Sequence, residues 1–254
     1  MLLAVDIGNT HVVLGGFVDD ELVFTARIAT DTTATEDEYA SKLMNILTIH
    51  NVSREQIAGA IISSVVPPLT SIMKQAINFI ADVNIIVVGP GIKTGINLHC
   101  DVPSSVGADI ICCCVAAHNI YGSPSLIVDM GTATKMILVG EKGSFEGVSI
   151  IPGVMLGLNA LSDGTAQLPQ VNLDNPGRVI AKNTVDCMKS GVIFGNASMI
   201  DGMIDRAFEE YGSEIPVYAT GGLASTIIKY CRREILLNEQ MVLLGLNIIY
   251  KKNS

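Results

Sequence analysis

Tryptophan is absent from this chain of 254 residues, and aromatic residues make up only 5% of it, whereas hydrophobic residues make up 49%. The core must therefore be built mainly from aliphatic side chains. Such a core is typical of α/β proteins, whose buried strands are rich in valine and isoleucine. The length suits one large domain or two modest ones.

Positive charge is scarce as well, because 16 Lys and Arg residues are set against 25 Asp and Glu residues, a net charge of −9. An acidic chain repels the phosphate backbone of nucleic acids, so we expect no nucleic-acid partner. Any phosphate that this chain binds must instead be held by backbone amides, by a metal ion or by a few local cations.

The sequence also lacks an apolar run long enough to cross a bilayer, so we expect no membrane partner. The early aspartate Asp6 leaves no room for the apolar core of a signal peptide. Six cysteines are present, but they form no C-x-x-C pair and no Cys/His group at zinc-ligand spacing. These absences predict a cytoplasmic protein whose cysteines are reduced and buried.

Two common nucleotide-binding signatures are missing too. No G-x-x-x-x-G-K-[ST] stretch occurs, which excludes a P-loop. No G-x-G-x-x-G follows a strand, which argues against a dinucleotide-binding fold. If the chain binds a nucleotide, it must use another kind of turn.

A candidate for such a turn occurs twice. The stretch LAVDIGNT at 3–10 resembles LIVDMGTAT at 126–134, and their aspartates, Asp6 and Asp129, are separated by about half of the chain. A second strand is expected after each turn, as in an internal duplication with two similar halves. Chance similarity between two buried strand–turn units is the alternative explanation.

A strand that ends in Asp-x-Gly-x-Thr is suited to phosphate binding. Gly8 lets the backbone approach an anion, successive amides form a concave anion site, and Thr10 adds a hydroxyl donor. Asp6 would repel the phosphate unless a cation lay between them, so the pattern predicts Mg²⁺ bound together with phosphate. The alternative is a tight hairpin in which the Asp and Asn side chains bind only the backbone.

A third turn has two adjacent glycines. The stretch ATGGLAS at 219–225 places them after a predicted strand, where an adenine or ribose ring could approach the backbone. A plain turn is the alternative, because Gly-Gly commonly follows strands. This stretch alone does not distinguish the two.

Hydrophobic periodicity predicts the order of strands and helices in both halves. Thr35 is the expected N-cap of the first helix, and the polar stretch 162–178 is expected to be a flexible connection. Helical spacing indicates helices at 35–50, 69–80, 106–119, 183–211 and 241–250. Short apolar runs bounded by turn residues predict strands at 1–5, 11–17, 21–28, 58–65, 84–88, 126–129 and 215–222.

Taken in order, these motifs resemble those of the type III pantothenate kinases, a family in the superfamily of sugar kinases, actin and heat-shock chaperone ATPases. The similarity extends over nearly the whole chain. It is carried by VDIGNT (5–10), TEDEYASKL (35–43), SSVVPPL (63–69), GPGIKTGI (89–96), VGAD (106–109), VDMGTAT (128–134), IIPGVMLGLNAL (150–161), KNTVDCMKSGVIFG (182–195) and ATGGLA (219–224).

The resemblance implies an α/β fold of the actin-like ATPase type. Two ribonuclease-H-like domains, 1–122 and 123–254, would be related by internal duplication, with a nucleotide cleft between them. It also implies a homodimer that uses ATP to phosphorylate pantothenate to 4′-phosphopantothenate, the first step of coenzyme A biosynthesis. Mg²⁺ and a monovalent cation, K⁺ or NH₄⁺, are the implied cofactors.

The same resemblance implies roles for individual residues. Asp109 would accept the proton of the substrate hydroxyl, although a carboxylate here could also simply stabilise a helix N-terminus. Asp129 would bind the monovalent cation. ATP would contact Thr132 and the turn made of Asp6, Ile7, Gly8, Asn9, Thr10, His11, Val12 and Val13. Pantothenate would contact Cys100, Gly107, Ala108, Asp109, Ile110 and, from a neighbouring surface of the dimer, Thr184.

Three residues depart from the pattern of the family. Ile110 stands where arginine is usual, and Cys100 stands where tyrosine is common. Each change removes a polar partner, which costs about 1–3 kcal/mol if a buried carboxylate goes unpaired. Lys135 changes the usual TATT into TATK, and its charge either stays near the site or points to solvent. A substrate-shifted kinase or a non-catalytic nucleotide-binding relative is therefore the alternative to a pantothenate kinase.

Overall fold

Two sheets organise the chain, whose structure, a computed structural model, describes all residues from 1 to 254. The chain forms two units, one made of residues 1–120 with 241–254 and the other of residues 121–240. No helix has the length and apolar character that crossing a membrane requires. The helices are, in chain order, α1 (Glu36–Ile49), α2 (Pro67–Ile80), α3 (Ala108–Ala116), α4 (Val154–Asp163), α5 (Thr184–Tyr211), α6 (Ala224–Ile227) and α7 (Met241–Asn253).

The first unit is built on one mixed sheet. Its strands are β1 (Leu2–Ile7), β2 (His11–Val18), β3 (Glu21–Ala29), β4 (Gly59–Ser64) and β5 (Ile85–Val87). They lie in the order β3-β2-β1-β4-β5, with β1 to β3 antiparallel and β4 and β5 parallel to β1. The central strand β1 is therefore flanked on both sides.

The two faces of this sheet are covered by different helices. Leu3, Val5 and Ile7 of β1 pack in the core that includes α1 and α2, whereas Leu2 and Ala4 pack with α3 and α7. Because side chains alternate along a strand, Asp6 belongs to the face that α3 covers. This alternation positions the first candidate residue.

The second unit repeats the architecture. Its strands are β6 (Ser125–Met130), β7 (Ala133–Val139), β8 (Phe145–Pro152), β9 (Val217–Thr220) and β10 (Leu236–Leu237). The order is β10-β9-β6-β7-β8, with β6 to β8 antiparallel and β9 and β10 parallel to β6. The two sheets share their connectivity and their strand directions. The predicted fold of two similar α/β halves is confirmed.

The helices of the second unit cover the opposite strand face from Asp129. Val128 and Met130 of β6 pack in the core with residues of α4, α5 and α6. Alternation therefore places Asp129 on the other face of the sheet. The sequence analysis gives no helix at α4, because Gly157 within it and the preceding Gly153 weaken the helical signal, whereas packing of its apolar side stabilises it.

Several local predictions are confirmed. Thr35 caps α1 in a capping box with Glu38, and the long helix predicted at 183–211 is α5, which Asn183 caps. All six cysteines are free, as expected. The expectation of burial holds for the run at 112–114 but is wrong for Cys187, which is exposed near the start of α5.

The last helix packs with the first unit, although the prediction included it in a continuous domain 123–254. α7 contacts α3 and β1, and its buried residues Leu243, Leu246 and Ile249 share a core with α3. A Cβ added at Gly245 would lie 2.1 Å from the carbonyl oxygen of Cys112. The two helices therefore meet backbone to backbone, which explains why the end of the chain returns to the first unit.

Replacing Gly245 by alanine should destabilise the protein by about 1–3 kcal/mol, because the new methyl group has to push two helices apart. Urea denaturation of the purified variant measures this change in the free energy of unfolding. The matched control is Gly202→Ala in α5, where an added Cβ meets no atom within 4 Å. This control should gain about 0.5–1 kcal/mol from helix propensity. Equal stabilities of the two variants would contradict the backbone contact.

Candidate active site

Asp6 lies near the carboxyl end of β1 and is half-buried. Its partners in the sheet register are Val13 of β2 and Ser63 of β4. The turn that follows is closed by the Gly8 amide, which donates to the carbonyl oxygen of His11 at 3.0 Å. Both tip residues, Asn9 and Thr10, are exposed. The turn thus presents polar groups at the end of the central strand.

A residue that the sequence did not single out fastens this turn. The hydroxyl of Thr30 donates to the Gly8 carbonyl oxygen at 2.6 Å, and its amide donates to the Thr10 carbonyl oxygen at 3.0 Å. The turn is therefore held by the residue that directly follows β3 as well as by its own strands. No local sequence signal identifies Thr30, because its contacts depend on the pairing of β2 with β3.

Asp109 lies in the first turn of α3, next to its N-cap Gly107. Its Oδ1 accepts the Ile110 amide at 2.8 Å. A Cβ at Gly107 would lie 2.5 Å from this oxygen and 3.7 Å from a methyl carbon of Val65, just beyond β4. Glycine therefore leaves room for the carboxylate. The contact with Val65 places the start of α3 at the edge of the sheet where β1 and β4 end.

Asp6 and Asp109 both act on one buried thiol. Burial raises the pKa of Cys112 well above its usual range, and the negative charges of Asp6 and then Asp109 raise it further. Cys112 lies on α3 and is fully buried. The fold thus brings together two predicted site residues about a hundred positions apart in sequence. Two carboxylates in one neighbourhood favour a bound cation.

Iodoacetamide at pH 8 should alkylate Cys112 and Cys114 very slowly in the folded protein. Burial raises the pKa of Cys114 to about 12, so only ~10⁻⁴ of it is the reactive thiolate at pH 8. Cys112, whose pKa is also raised, should behave likewise. Mass spectrometry of the labelled peptides measures the rates, with urea-unfolded protein as the control. Equal rates in folded and unfolded protein would contradict the buried setting of Cys112.

Several predicted contacts are buried side chains. Ile7 and Val12 are fully buried, so only their main-chain atoms could meet a ligand. Ala108 and Ile110 are 8% and 7% exposed, so Ile110 points into the protein at the position where the family usually has arginine. Cys100 is half-buried in the connection between β5 and α3. Their contacts with ATP or pantothenate stay predictions.

The second unit carries the equivalent turn after β6. The Gly131 amide donates to the Ala133 carbonyl oxygen at 3.1 Å, and the Gly153 amide donates to the Thr132 carbonyl oxygen at 3.1 Å. A Cβ at Gly153 would lie 2.2 Å from that Thr132 oxygen, so the backbone before α4 presses against the turn. Thr132 itself is exposed, and its contact with ATP stays a prediction.

Asp129 is 8% exposed and forms an ion pair with Lys135. The two residues stand directly opposite each other in the antiparallel pair of β6 and β7, so their side chains share a face. The distance from Lys135 Nζ to Asp129 Oδ2 is 2.6 Å. Of the two alternatives for Lys135, the structure excludes the one in which its charge points to solvent.

Packing explains one of the two glycines after β9. Gly221 has a φ of +92°, and a Cβ there would lie 2.6 Å from the carbonyl carbon and oxygen of Met130. The turn therefore packs closely on the end of β6, which requires glycine at this position. Gly222 is exposed, and an approach of adenine or ribose to it stays a prediction.

Thr184, the remaining predicted contact, begins α5 beside a groove. The Asn183 side chain caps this helix by accepting the Asp186 amide at 3.0 Å. The groove has a volume of about 590 Å³ and is open to solvent. It is lined by Leu161, Leu168, Ala181, Lys182, Asn183, Thr184, Cys187, Met188, Gly191 and Val192. A role of Thr184 in binding pantothenate stays a prediction.

The donor set bears on which metal the chain can hold. No three His, Cys, Asp or Glu side chains cluster in a way that would hold a metal ion. Mg²⁺ commonly binds through one or two carboxylates together with substrate phosphates and water. The neighbourhood of Asp6 and Asp109 fits this mode of binding. It does not fit a resident structural metal.

The fold defines the class of protein as the actin-like ATPase type, with a duplicated ribonuclease-H-like unit. Solved structures with this fold include the activator of the 2-hydroxyisocaproyl-CoA dehydratase from Clostridium difficile, with a TM-score of 0.58 and 12% identity over 99% of this chain and 95% of that one. Another is component A of the (R)-2-hydroxyglutaryl-CoA dehydratase from Acidaminococcus fermentans, with a TM-score of 0.58 and 16% identity over 100% of this chain and 99% of that one.

Comparison at the level of sequence is more specific. A family model described as type III pantothenate kinase matches residues 2–206. Proteins named type III pantothenate kinase are 40% identical in Halalkalibacterium halodurans, over 100% of both chains, and 42% identical in Exiguobacterium sp., over 100% of this chain and 99% of the relative. The chain belongs to the type III pantothenate kinase family, which confirms the family predicted from its motifs.

Proposed function

We propose that this protein uses ATP to phosphorylate pantothenate to 4′-phosphopantothenate, the first step of coenzyme A biosynthesis. The observation that carries the proposal is the 42% identity, over the whole chain, with a protein named type III pantothenate kinase. The convergence of Asp6 and Asp109 at one edge of the first sheet supports it. Phosphoryl transfer needs charge neutralisation and a proton acceptor, and carboxylates can serve both purposes.

The nucleotide part of the proposal uses both glycine turns. The exposed tip from Gly8 to Thr10 offers backbone amides and a hydroxyl to the phosphates of ATP, and Thr132 offers a second hydroxyl. Asp6 is the carboxylate through which Mg²⁺ would be held together with those phosphates. When bound, Mg²⁺ neutralises the charge of the transferred phosphoryl group.

Asp109 is the proposed catalytic base. It accepts the proton of the pantothenate hydroxyl while the hydroxyl oxygen bonds to the γ-phosphorus and ADP leaves. Its location in the first turn of α3 keeps the carboxylate next to Gly107, whose lack of a side chain leaves space for it. The amide of Ile110 orients one of its oxygens.

The proposed pantothenate pocket differs from the family pattern. Cys100, Gly107, Ala108 and Ile110 would line it in the first unit, and Thr184 would reach it from the other copy of a homodimer. The apolar side chain of Ile110 offers no charged partner to the carboxylate of pantothenate, and it is buried. The carboxylate lies at the end of pantothenate opposite to the hydroxyl that Asp109 would deprotonate, so its partner must be a group other than residue 110 and away from Asp109.

Asp109→Asn should lower kcat about 10²–10⁴-fold, because the amide cannot accept the proton, while the Kd for ATP changes less than about twofold. A coupled assay of ADP release with pantothenate and Mg²⁺ measures turnover, and calorimetry measures ATP binding. Asp82→Asn, which changes an exposed aspartate after α2, is the matched control and should keep the wild-type rate. Full activity of Asp109→Asn would remove this residue from the mechanism. A wild-type protein that turns over ATP with no pantothenate dependence would refute the substrate.

We infer a homodimer from an exposed apolar surface on the second unit. Leu161 lines the groove beside Thr184, and Val179, Ile180 and Val185 lie close in sequence to other lining residues. These four and Met155 and Leu156 of α4 are all exposed. Ile180 alone is 83% exposed, which is unusual for a large apolar side chain. A second copy of the chain would cover this surface and bring its Thr184 toward the proposed pantothenate pocket.

We also infer a cytoplasmic location. The proposed use of ATP and the free state of all six cysteines both agree with it.

Ile180→Glu should convert the dimer into a monomer, because a charge in an apolar interface goes unpaired. Light scattering after gel filtration measures the mass directly. The matched control is Ile49→Glu, since Ile49 is also an isoleucine, is 73% exposed and lies at the end of α1. The control should stay dimeric. A monomeric wild-type protein at micromolar concentration would refute the dimer.

The non-catalytic alternative receives no support. The relatives compared above carry the name of a kinase. A protein that only bound nucleotide would have little use for a carboxylate at Asp109 as proton acceptor. The departures at Cys100 and Ile110 concern the pantothenate pocket, so they bear on affinity for the acceptor and leave the phosphoryl-transfer residues intact.

A further inference from the structure

The ion pair of Asp129 and Lys135 is almost closed off from solvent. The side chain of Asp129 is 11% exposed and that of Lys135 is 14% exposed. Other ion pairs of the chain, such as those of Arg233 with Asp205 and with Glu214, have far more exposed partners. A lysine ammonium is rarely buried unless a carboxylate compensates its charge. Burial of both charges therefore makes each of the two side chains depend on the other within the second sheet.

The strand register holds this lysine in place. Antiparallel pairing of β6 and β7 sets Lys135 directly across from Asp129 on the neighbouring strand. The chain between them consists of one further strand pair, Met130 with Thr134, and the short turn closed by the Gly131 amide and packed under Gly153. A side chain at position 135 that reaches toward Asp129 is thus a direct consequence of the hairpin.

The ammonium of lysine resembles the cation that the family resemblance implies at Asp129. Both carry one positive charge, and the lysine ammonium is an alkylated form of NH₄⁺ with three N–H donors. Lys135 Nζ lies 2.6 Å from Asp129 Oδ2, which is contact distance for a charge-assisted hydrogen bond. A free K⁺ ion at the same carboxylate would meet this ammonium as a like charge. The residues present do not fit a bound monovalent cation.

We propose that the Lys135 ammonium replaces the monovalent cation, so that this enzyme works without K⁺ or NH₄⁺. The inference rests on the proposed function, because the replaced ion belongs to the same nucleotide-binding site. Lys135 acts here through Asp129 and the neighbouring turn of Thr132, so it is a positioning residue. Its positive charge neutralises the Asp129 carboxylate whatever the concentration of K⁺.

The first measurement compares salts with the wild-type protein. Phosphorylation of pantothenate is assayed with ATP and Mg²⁺ in potassium chloride and in tetramethylammonium chloride of equal ionic strength. We expect kcat and both KM values in the two salts to agree within about twofold, because the Lys135 ammonium already occupies the place that K⁺ would take. A rate that rises more than about fivefold with K⁺ overturns the proposal.

The second measurement uses Lys135→Thr, which restores the residue usual in the family. This variant should lose about tenfold or more of its rate in tetramethylammonium chloride and recover most of it in potassium chloride, because Asp129 then needs an external cation. Lys74→Thr, which removes an exposed lysine on α2, is the matched control and should behave like the wild type in both salts. A full rate of Lys135→Thr without K⁺ overturns the proposal, since the site would then need no cation of either kind.

Thermal unfolding supplies a readout that does not depend on turnover. An ion that binds only the folded protein raises Tm with its concentration. We expect a K⁺-specific rise for Lys135→Thr and none for the wild type or Lys74→Thr, relative to tetramethylammonium. A K⁺-specific rise in the wild type overturns the proposal even if Lys135→Thr fails to fold. Failure of pantothenate phosphorylation in every salt would refute the proposed function, and the Tm measurement would still decide whether Lys135 replaces the ion.

Discussion

A carboxylate at the end of a buried strand has to be matched by positive charge, and this constraint governs both halves of the molecule. Asp6 and Asp129 occupy equivalent places on the central strands β1 and β6. In the second unit the charge is matched by the chain itself, through Lys135 across the hairpin. In the first unit Asp6 and Asp109 both place negative charge near the buried Cys112. In the proposed function, Asp6 is the carboxylate through which Mg²⁺ is held together with the phosphates of ATP.

The duplication thus preserves architecture while the chemistry of the two turns differs. Both sheets have the same strand order and directions, and each turn is closed by a glycine amide. The turns are held in different ways. Thr30 of the first unit binds the turn by its hydroxyl and amide, whereas Gly153 of the second unit allows the backbone before α4 to press against it. A shared fold therefore leaves room for one half to bind a metal–phosphate complex and for the other to carry a fixed ammonium.

Local signals made part of this structure predictable. The capping residues Thr35 and Asn183 mark the starts of α1 and α5, because a cap is a contact between residues close in sequence. The repeated Asp-x-Gly turns reveal the two halves for a similar reason. The helix α4 was missed because packing stabilises it against the weak helix propensity of glycine. The return of α7 to the first unit was missed because amphipathic periodicity shows that a helix has an apolar face and does not show which surface will cover it.

The sequence by itself determined the family, the two glycine turns and the identity of the acidic residues, since these are properties of short motifs in a fixed order. Tertiary structure decided which of those residues meet. It placed Gly107 and the start of α3, with Asp109, beside Val65 at the edge of the sheet where β1 ends, and it buried Ile110. It also decided the direction of the Lys135 side chain, which the sequence had left open. The physical reason is that the register of β6 with β7 sets the face of every side chain on both strands, and that register is fixed by pairing and burial rather than by the residues near Lys135 alone.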